Sequence, residues 1–226
     1  MSETPNANDA PTVTRRRAIA SITLGAATLS GGAFALMVVK DQTYAPSAPY
    51  APTGAANREH AVVYYSRTGH SEAVAREIAR GLNAPIARIA ADYPLSLAGQ
   101  AKAVADAEAG ALPEIQVDPI DLTPARRVYL VSPTWWFGPA MPLWSYVAQA
   151  QLKDKEVVVV TTGNSRFKQE RVDAFAEQLR ARGGRLVRYL FLRRGRFYWQ
   201  LSREQLLREA RERLTSSGLI GQGAAF

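Results

Sequence analysis

From Ala61 onward, short uniform apolar runs alternate with segments whose apolar residues recur at helical spacing. Ala61-Val62-Val63-Tyr64-Tyr65, Arg127 to Val131 and Glu156 to Val160 read as buried strands, with Pro85 to Ala90 and Arg185 to Leu192 as two further strands. Between them, Glu72 to Leu82 places Ala73, Val74, Ile78, Ala79 and Leu82 on one helical face, and Gln169 to Ala181 does the same with Val172, Phe175, Ala176 and Leu179. Leu97 to Ala109 is an alanine-rich helix, and Pro142 to Leu152 is helical in pattern. Ser202 to Leu214 is the last helix, opened by Ser202-Arg203-Glu204-Gln205, a capping box. Five strands separated by helices predict an α/β fold, an open doubly wound parallel sheet with helices on both faces. In such a sheet a ligand binds in the crevice at the carboxyl ends of the strands, where the strand order switches.

The chain before this alternation reads differently. Residues 1–13 are small and polar, Thr14-Arg15-Arg16-Arg17 is basic, and Ala18 to Val39 is uncharged but interrupted by glycines and hydroxyls. A basic run followed by an apolar run is an export address, and Thr14, Arg15, Arg16 and Ile19 resemble a twin-arginine signal. Ala18 and Ala20 depart from that pattern. Ala33-Phe34-Ala35 is a candidate cleavage site, and the alternative is that residues 18–39 stay as a membrane anchor. The expected location is therefore exported, in the periplasm or on the outer side of the cytoplasmic membrane. In residues 41–57 prolines follow Tyr-Ala twice, which reads as an extended, semi-rigid spacer. The expected divisions are a signal or anchor at 1–40, this linker at 41–57, a folded domain at 58–214 and a flexible tail at 215–226.

Composition narrows the chemistry. The chain has 226 residues, no Cys and two His, so disulfides, thiol nucleophiles and thiolate metal sites are excluded and a multi-histidine metal centre is disfavoured. Redox chemistry would need an organic cofactor. The 28 Lys+Arg against 20 Asp+Glu give a net charge of +8, and residues 166–226 hold fourteen of the basic and six of the acidic residues. That basic last quarter suits an acidic partner. Its bland reading is the solvated face of the last helix, where Arg203, Arg208, Arg211 and Arg213 interleave with Glu204, Glu209 and Glu212. No nucleic-acid module is present in the sequence, so no nucleic-acid partner is expected.

Three strand ends carry candidate chemistry. Ser66-Arg67-Thr68-Gly69-His70-Ser71 sets hydroxyls and a glycine before a helix, where exposed amides and the helix dipole attract an anion; the bland alternative is a serine-capped helix start. Pro133-Thr134-Trp135-Trp136-Phe137-Gly138-Pro139 sets three aromatics in the crevice, a stacking surface for a flat heterocycle or else a hydrophobic plug. Thr161-Thr162-Gly163-Asn164-Ser165-Arg166 offers small hydrogen-bonding groups. Arg193, Arg194 and Arg196, followed by Phe197-Tyr198-Trp199, lie on the same rim; they would receive an anionic partner or nucleotide, or simply cover the sheet edge.

Residues 61–213 resemble the flavodoxin-like FMN-binding family, in its branch of small exported flavodoxins. The resemblance is carried by Ser66, Thr68, Gly69 and Ser71 of the phosphate loop, by Pro133, Trp135 and Trp136, and by Thr161 through Ser165. It implies a five-stranded sheet of order 2-1-3-4-5, FMN as cofactor with its phosphate on the first loop, and an isoalloxazine beside the tryptophans. Phe137, placed before Gly138, and His70 depart from the family pattern. The cofactor-binding residues expected on this basis are Ser66 through Ser71, Pro133 through Gly138, and Thr162, Gly163 and Asn164, with no metal. No side chain is required as acid or base, although His70 is a candidate proton donor. The function implied is transfer of electrons or hydride through FMN, either to a small quinone-type acceptor or, as a carrier, to an acidic redox partner protein. A non-redox module binding another phosphorylated ring is a further alternative. The twin-arginine route, which carries folded proteins, suits a cofactor inserted in the cytoplasm.

Overall fold

Strands buried on both faces must be apolar along their length, and the runs Ala61 to Tyr65, Val128 to Val131 and Val157 to Val160 meet that demand, whereas the runs that hold Arg88 and Arg188 are partly exposed. The structure is a computed structural model that describes residues 42–164, 166–196 and 199–221, without the side chains of Arg196 and Trp199. Residues 1–41, with the expected signal, and Ser165, Phe197, Tyr198 and residues 222–226 lie outside the described residues. Among the described residues no helix is long and apolar enough to cross a membrane.

The elements run β1 (His60–Tyr65), α1 (His70–Leu82), β2 (Ile86–Ala90), α2 (Leu97–Ala109), β3 (Gln116–Val117), β4 (Arg127–Trp135), β5 (Gly138–Pro139), α3 (Met141–Gln149), β6 (Glu156–Gly163), α4 (Gln169–Ala181), β7 (Arg185–Arg193), β8 (Gly195–Arg196), β9 (Trp199–Gln200) and α5 (Arg203–Ser216). The sheet order is β3-β2-β1-β4-β6-β7. Its parallel part, β2-β1-β4-β6-β7, is the predicted 2-1-3-4-5 order, a flavodoxin-like doubly wound sheet. Two-residue β3 and β5 pair antiparallel with β2 and β4, and are too short to leave a periodic signal.

Alternation along each strand feeds two cores. Val63, Leu130 and Val159 face one way, onto Leu143 and Val147 of α3 and Phe175 and Leu179 of α4. Val62, Tyr129, Val131, Val158 and Val160 face the other, onto Val74 and Ile78 of α1 and Leu206, Ala210 and Leu214 of α5. The capping box forms as the sequence indicates: Gln205 N donates to Ser202 Oγ at 3.2 Å, and Ser202 N donates to Gln205 Oε1 at 2.8 Å.

Four expectations are corrected. The compact unit takes in the described residues from 42 onward and does not begin at residue 58. The proline-rich segment is a strap laid along α1 and not a spacer: Ala45 N donates to Thr68 O at 3.1 Å, Arg76 Nη1 holds Ser47 O and Ala48 O at 2.7 and 2.8 Å, and Tyr50 OH donates to Ala84 O at 3.1 Å. Prolines kept its backbone extended, but its free carbonyls met arginines. The basic face of α5 is partly spent inside the molecule: Arg203 donates to Ala45 O and Pro46 O, and Arg211 pairs with Glu77, a carboxylate only 2% exposed that Arg80 also holds at 2.7 Å. Finally, residues 215–221 are not a loose tail. Thr215 and Ser216 complete α5, Leu219 and Ile220 are buried in the second core, and Leu219 O accepts from Tyr129 OH at 2.8 Å.

Ending the chain after Gly218 would expose the apolar pocket of Leu219 and Ile220 and remove the carbonyl that accepts from Tyr129 OH. Burial of two such side chains stabilises by about 1.5–3 kcal/mol each, and a hydrogen bond contributes about 0.5–1.5 kcal/mol. The truncated protein should lose roughly 4–7 kcal/mol in urea unfolding, whereas Tyr129→Phe should lose about 1 kcal/mol. Unchanged stability on truncation would show that the last residues do not hold the sheet.

Candidate functional site

The first strand end is shaped by backbone geometry. Gly69 takes φ 85° as the cap of α1, and Gly69 N donates to Ser66 Oγ at 3.0 Å. A Cβ on Gly69 would lie 2.1 Å from Ala45 O, so both the turn and the strap require glycine here. Arg67 reaches away from the strand, giving hydrogen bonds to Pro94 O at 2.8 Å and Ser96 O at 2.9 Å that tie this loop to the start of α2. The third strand end is joined to the first by Ser71 Oγ and Thr162 Oγ1, 2.8 Å apart and buried. Thr161 Oγ1 bonds Tyr189 OH of the next strand at 2.8 Å, leaving Thr162 to face α1.

The aromatic segment is a β-hairpin, which corrects the expectation of an open loop. β4 continues through Trp135, pairs Trp135 with Gly138 and Thr134 with Pro139, and turns through Trp136 and Phe137. Both turn residues have positive φ, 44° and 67°, the pattern of a type I′ hairpin turn. Phe137 is thus the second residue such a turn needs. Left-handed backbone at bulky residues costs of order 1–3 kcal/mol each and is a mark of functional sites. Neighbours hold the turn: Lys168 N donates to Phe137 O at 2.9 Å, and Arg166 and Lys168 stand 5.6 and 4.8 Å from the Phe137 ring centre. Trp135 packs edge-on against Tyr65 and Tyr93, with ring centres 5.4 and 4.7 Å away, so it belongs partly to the core. Trp136 is 42% exposed at the tip.

These ends enclose a cavity of about 210 Å³. Of the predicted residues, Arg67, Thr68, His70, Pro133, Thr134, Trp135, Trp136, Thr162, Gly163 and Asn164 line it. Ser66, Gly69, Ser71, Phe137 and Gly138 do not; they shape its walls, Gly138 by admitting Arg171, whose Cβ a Gly138 Cβ would approach to 2.9 Å. The lining also includes Gln100, Ala103 and Val104 of α2 and Arg194 after β7. The α2 residues escaped the sequence reading, because helical spacing from Gln100 to Val104 marks a face but not what it faces.

The electrostatics of the cavity are one-sided. Among the described residues it is lined by Arg67 and Arg194 and by no carboxylate. Arg194 is buried, with 7% of its surface exposed, and its backbone N donates to Gly163 O at 2.8 Å. Burial, with the charges of Arg194 and Arg203, pushes the His70 pKa down to about 3, so the ring is neutral near pH 7 and is no reservoir of an acidic proton. His70 Nδ1 and Thr134 Oγ1 are buried without hydrogen-bond partners among the described residues, and both residues line the cavity. Buried polar atoms of this kind are met by water, an ion or a ligand with matching groups.

No protein-family model matches the chain, and no curated protein matches it. Among solved structures, the fold is similar to a flavoprotein from Lactobacillus acidophilus in complex with FMN, at 21% identity over 59% of this chain and 92% of that one (TM-score 0.52). It is also similar to a putative flavoprotein from Bacteroides eggerthii, at 16% identity over 70% of this chain and 96% of that one (TM-score 0.55). A third, a putative flavoprotein from Bacteroides uniformis, is 15% identical over 68% of this chain and 97% of that one (TM-score 0.52). These likenesses bear out the doubly wound, flavodoxin-like fold.

Two outcomes follow from this geometry. Replacing Trp136-Phe137 by Asn-Gly, the residues a type I′ turn favours, should raise stability by about 1–2 kcal/mol, since relieved strain of order 1–3 kcal/mol per residue exceeds the lost cation–π contacts of about 0.5–1 kcal/mol each. A lowered melting temperature would show that the aromatic turn is unstrained. For His70, the folded pKa lies below the unfolded value near 6.5, so the unfolded chain binds the extra proton between them. The stability linked to the neutral ring is present above about pH 6.5 and lost as pH falls toward about 3. Wild type should therefore lose up to about 1.4 kcal/mol per pH unit relative to His70→Gln across that window; parallel unfolding profiles would contradict it.

Proposed function

We propose that the chain is an FMN-binding redox protein exported across the cytoplasmic membrane. The observation that carries this reading is the convergence of three strand ends on one cavity lined by two arginines, hydroxyls and tryptophans and, among the described residues, by no acid. Such a lining suits a phosphorylated planar ring. FMN, when bound, supplies electron or hydride exchange through its flavin. The residues do the rest. The amino terminus of α1 and Thr68 hold the phosphate, where the helix dipole favours an anion. His70 Nδ1 and Thr134 Oγ1 gain the partners they lack. Asn164 and the backbone at Gly163 orient polar ring atoms, while Trp135 and Trp136 supply apolar surface and exclude water. At about 210 Å³ the cavity is below the common ligand-site range of roughly 300–1,000 Å³, so it encloses part of such a ligand and leaves the remainder to the cover of Trp136.

The likeness to a flavoprotein solved with FMN supports the reading. Export rests on the Arg15-Arg16 signal and the apolar stretch after it, with cleavage or anchoring by residues 18–39 as its two forms. Between a small-acceptor reductase and a carrier, one observation favours the carrier: exposed Arg166 and Lys168 flank the Phe137 ring beside the cavity mouth, a cationic rim for an acidic redox partner.

The purified chain should show an oxidised flavin absorption spectrum, and the released cofactor should have the mass of FMN. Reduction by an acidic partner protein should slow as salt rises, because steering is screened over about 10 Å at 0.1 M. A colourless chain that also refuses added FMN would defeat the assignment. FMN retention with salt-independent turnover of small quinones would favour the reductase, and bound flavin that does not cycle between oxidation states would favour a non-redox module.

A further inference from the structure

Arg203 occupies a position that helix electrostatics disfavour. It is the first residue of α5, whose start is fixed by the capping box of Ser202 and Gln205, and a cation there opposes the helix dipole. Its half-buried side chain leaves α5 and donates to Ala45 O and Pro46 O of the strap, and to Gly69 O at 3.5 Å. Gly69 O is the carbonyl that opens α1, accepting from Ala73 N at 3.0 Å. On the same turn, Ala45 N donates to Thr68 O at 3.1 Å. The strap therefore presses on the backbone of Thr68 and Gly69, so closely that a Cβ on Gly69 would lie 2.1 Å from Ala45 O. It is fixed on either side of that contact: Tyr44 OH donates to Glu72 in the first turn of α1, and Arg76 holds Ser47 O at 2.7 Å. Thr68 and His70 line the cavity, whereas Ala45, Gly69 and Arg203 do not. The turn is thus gripped by residues that leave the cavity to the ligand.

We infer that Arg203 is a positioning residue for the ligand's phosphate: by clamping the strap onto Thr68 and Gly69, it holds the opening of α1 in the shape that receives an anion. The inference rests on the flavin reading above and deepens it. Amides at a helix start bind an anion only while they point at one place, and the glycine that shapes this turn, at φ 85°, is the residue freest to leave that conformation. The planar fork of Arg203 and the amide of Ala45 remove that freedom before the ligand arrives, so less ordering entropy is lost on binding. Coupling between two binding events is reciprocal, so a phosphate seated on the turn must in return tighten the strap. Riboflavin shares the ring that the tryptophans would meet but lacks the phosphate, and would leave the strap as it is.

The test uses the full chain. Wild type, Arg203→Gln, Arg203→Lys and Ala45→Pro are titrated with FMN and with riboflavin, followed by flavin fluorescence, and hydrogen exchange of the strap is measured in wild type with each flavin and with neither. Ala45→Pro removes the donor to Thr68 O without altering charge. It should weaken FMN roughly 3- to 10-fold, the worth of one hydrogen bond, and riboflavin by less than about twofold. Arg203→Gln should weaken FMN by about tenfold or more, while Arg203→Lys, which keeps the charge but not the fork, should fall between it and wild type. FMN should slow exchange of the strap, and riboflavin should not. An unchanged FMN-to-riboflavin ratio in Ala45→Pro overturns the clamp while leaving FMN binding by wild type in place. Full FMN affinity in Arg203→Lys does the same, since charge alone would then be responsible, and so does strap exchange that FMN fails to slow. If the variants do not fold, the exchange measurement on wild type decides the point. Wild type that binds neither flavin overturns the flavin reading together with this one.

Discussion

Two-sided burial of the central strands is the constraint on which the rest of this molecule depends. Tyr129, Leu130, Val131, Val157, Val158, Val159 and Val160 have no solvent-exposed surface, because helices cover both faces of the sheet. A surface so closed admits no polar chemistry along its length, so polar groups gather where the strands end. At those ends the parallel arrangement brings β1, β4 and β6 to one rim, and the switch in strand order between β1 and β4 opens a crevice there. Ser71, Thr161 and Thr162 mark the boundary: they are buried, yet their hydroxyls are satisfied by one another and by Tyr189.

The same constraint explains how the strap and the last residues come to matter. The second core lies between the sheet and only two helices, α1 and α5. Tyr50 packs at its margin and Leu219 and Ile220 close its end, so segments with no regular structure complete it. Arginines hold these segments by their carbonyls: Arg76 holds Ser47 and Ala48, and Arg203 holds Ala45 and Pro46. A donor fork with several N–H groups can satisfy successive carbonyls of an extended chain, as it does here. Part of the net positive charge is therefore structural and not available to partners.

How much of this was legible in the sequence varies with the kind of signal. The five parallel strands and the helices between them were readable, since runs such as Val157 to Val160 and the spacing of Val172, Phe175 and Leu179 are dictated by burial within a single element. The capping box at Ser202 was readable for the same reason, being complete within four residues. The strap was not, because its contacts join residues far apart: Arg203 and Ala45 meet only once the fold has formed. Tyr-Ala-Pro repeats report an extended backbone and say nothing of what lies alongside. Nor was the hairpin readable, since Trp-Phe contradicts the Asn-Gly signature by which a type I′ turn is recognised.

That contradiction is informative. Local rules are broken at two places around the cavity: aromatic residues in left-handed backbone at Trp136 and Phe137, and buried polar atoms without partners among the described residues at His70 and Thr134. Each opposes the folded state by itself, while the sheet below satisfies its local preferences almost everywhere. Violations gathered around a cavity are what a chain tolerates when a ligand returns the lost stability on binding. Hydrogen-bonding groups would complete His70 and Thr134, and a flat ring would cover the apolar surface that Trp136 presents. A ligand lacking either feature would leave one of these places uncompensated, which favours a polar-edged, planar molecule.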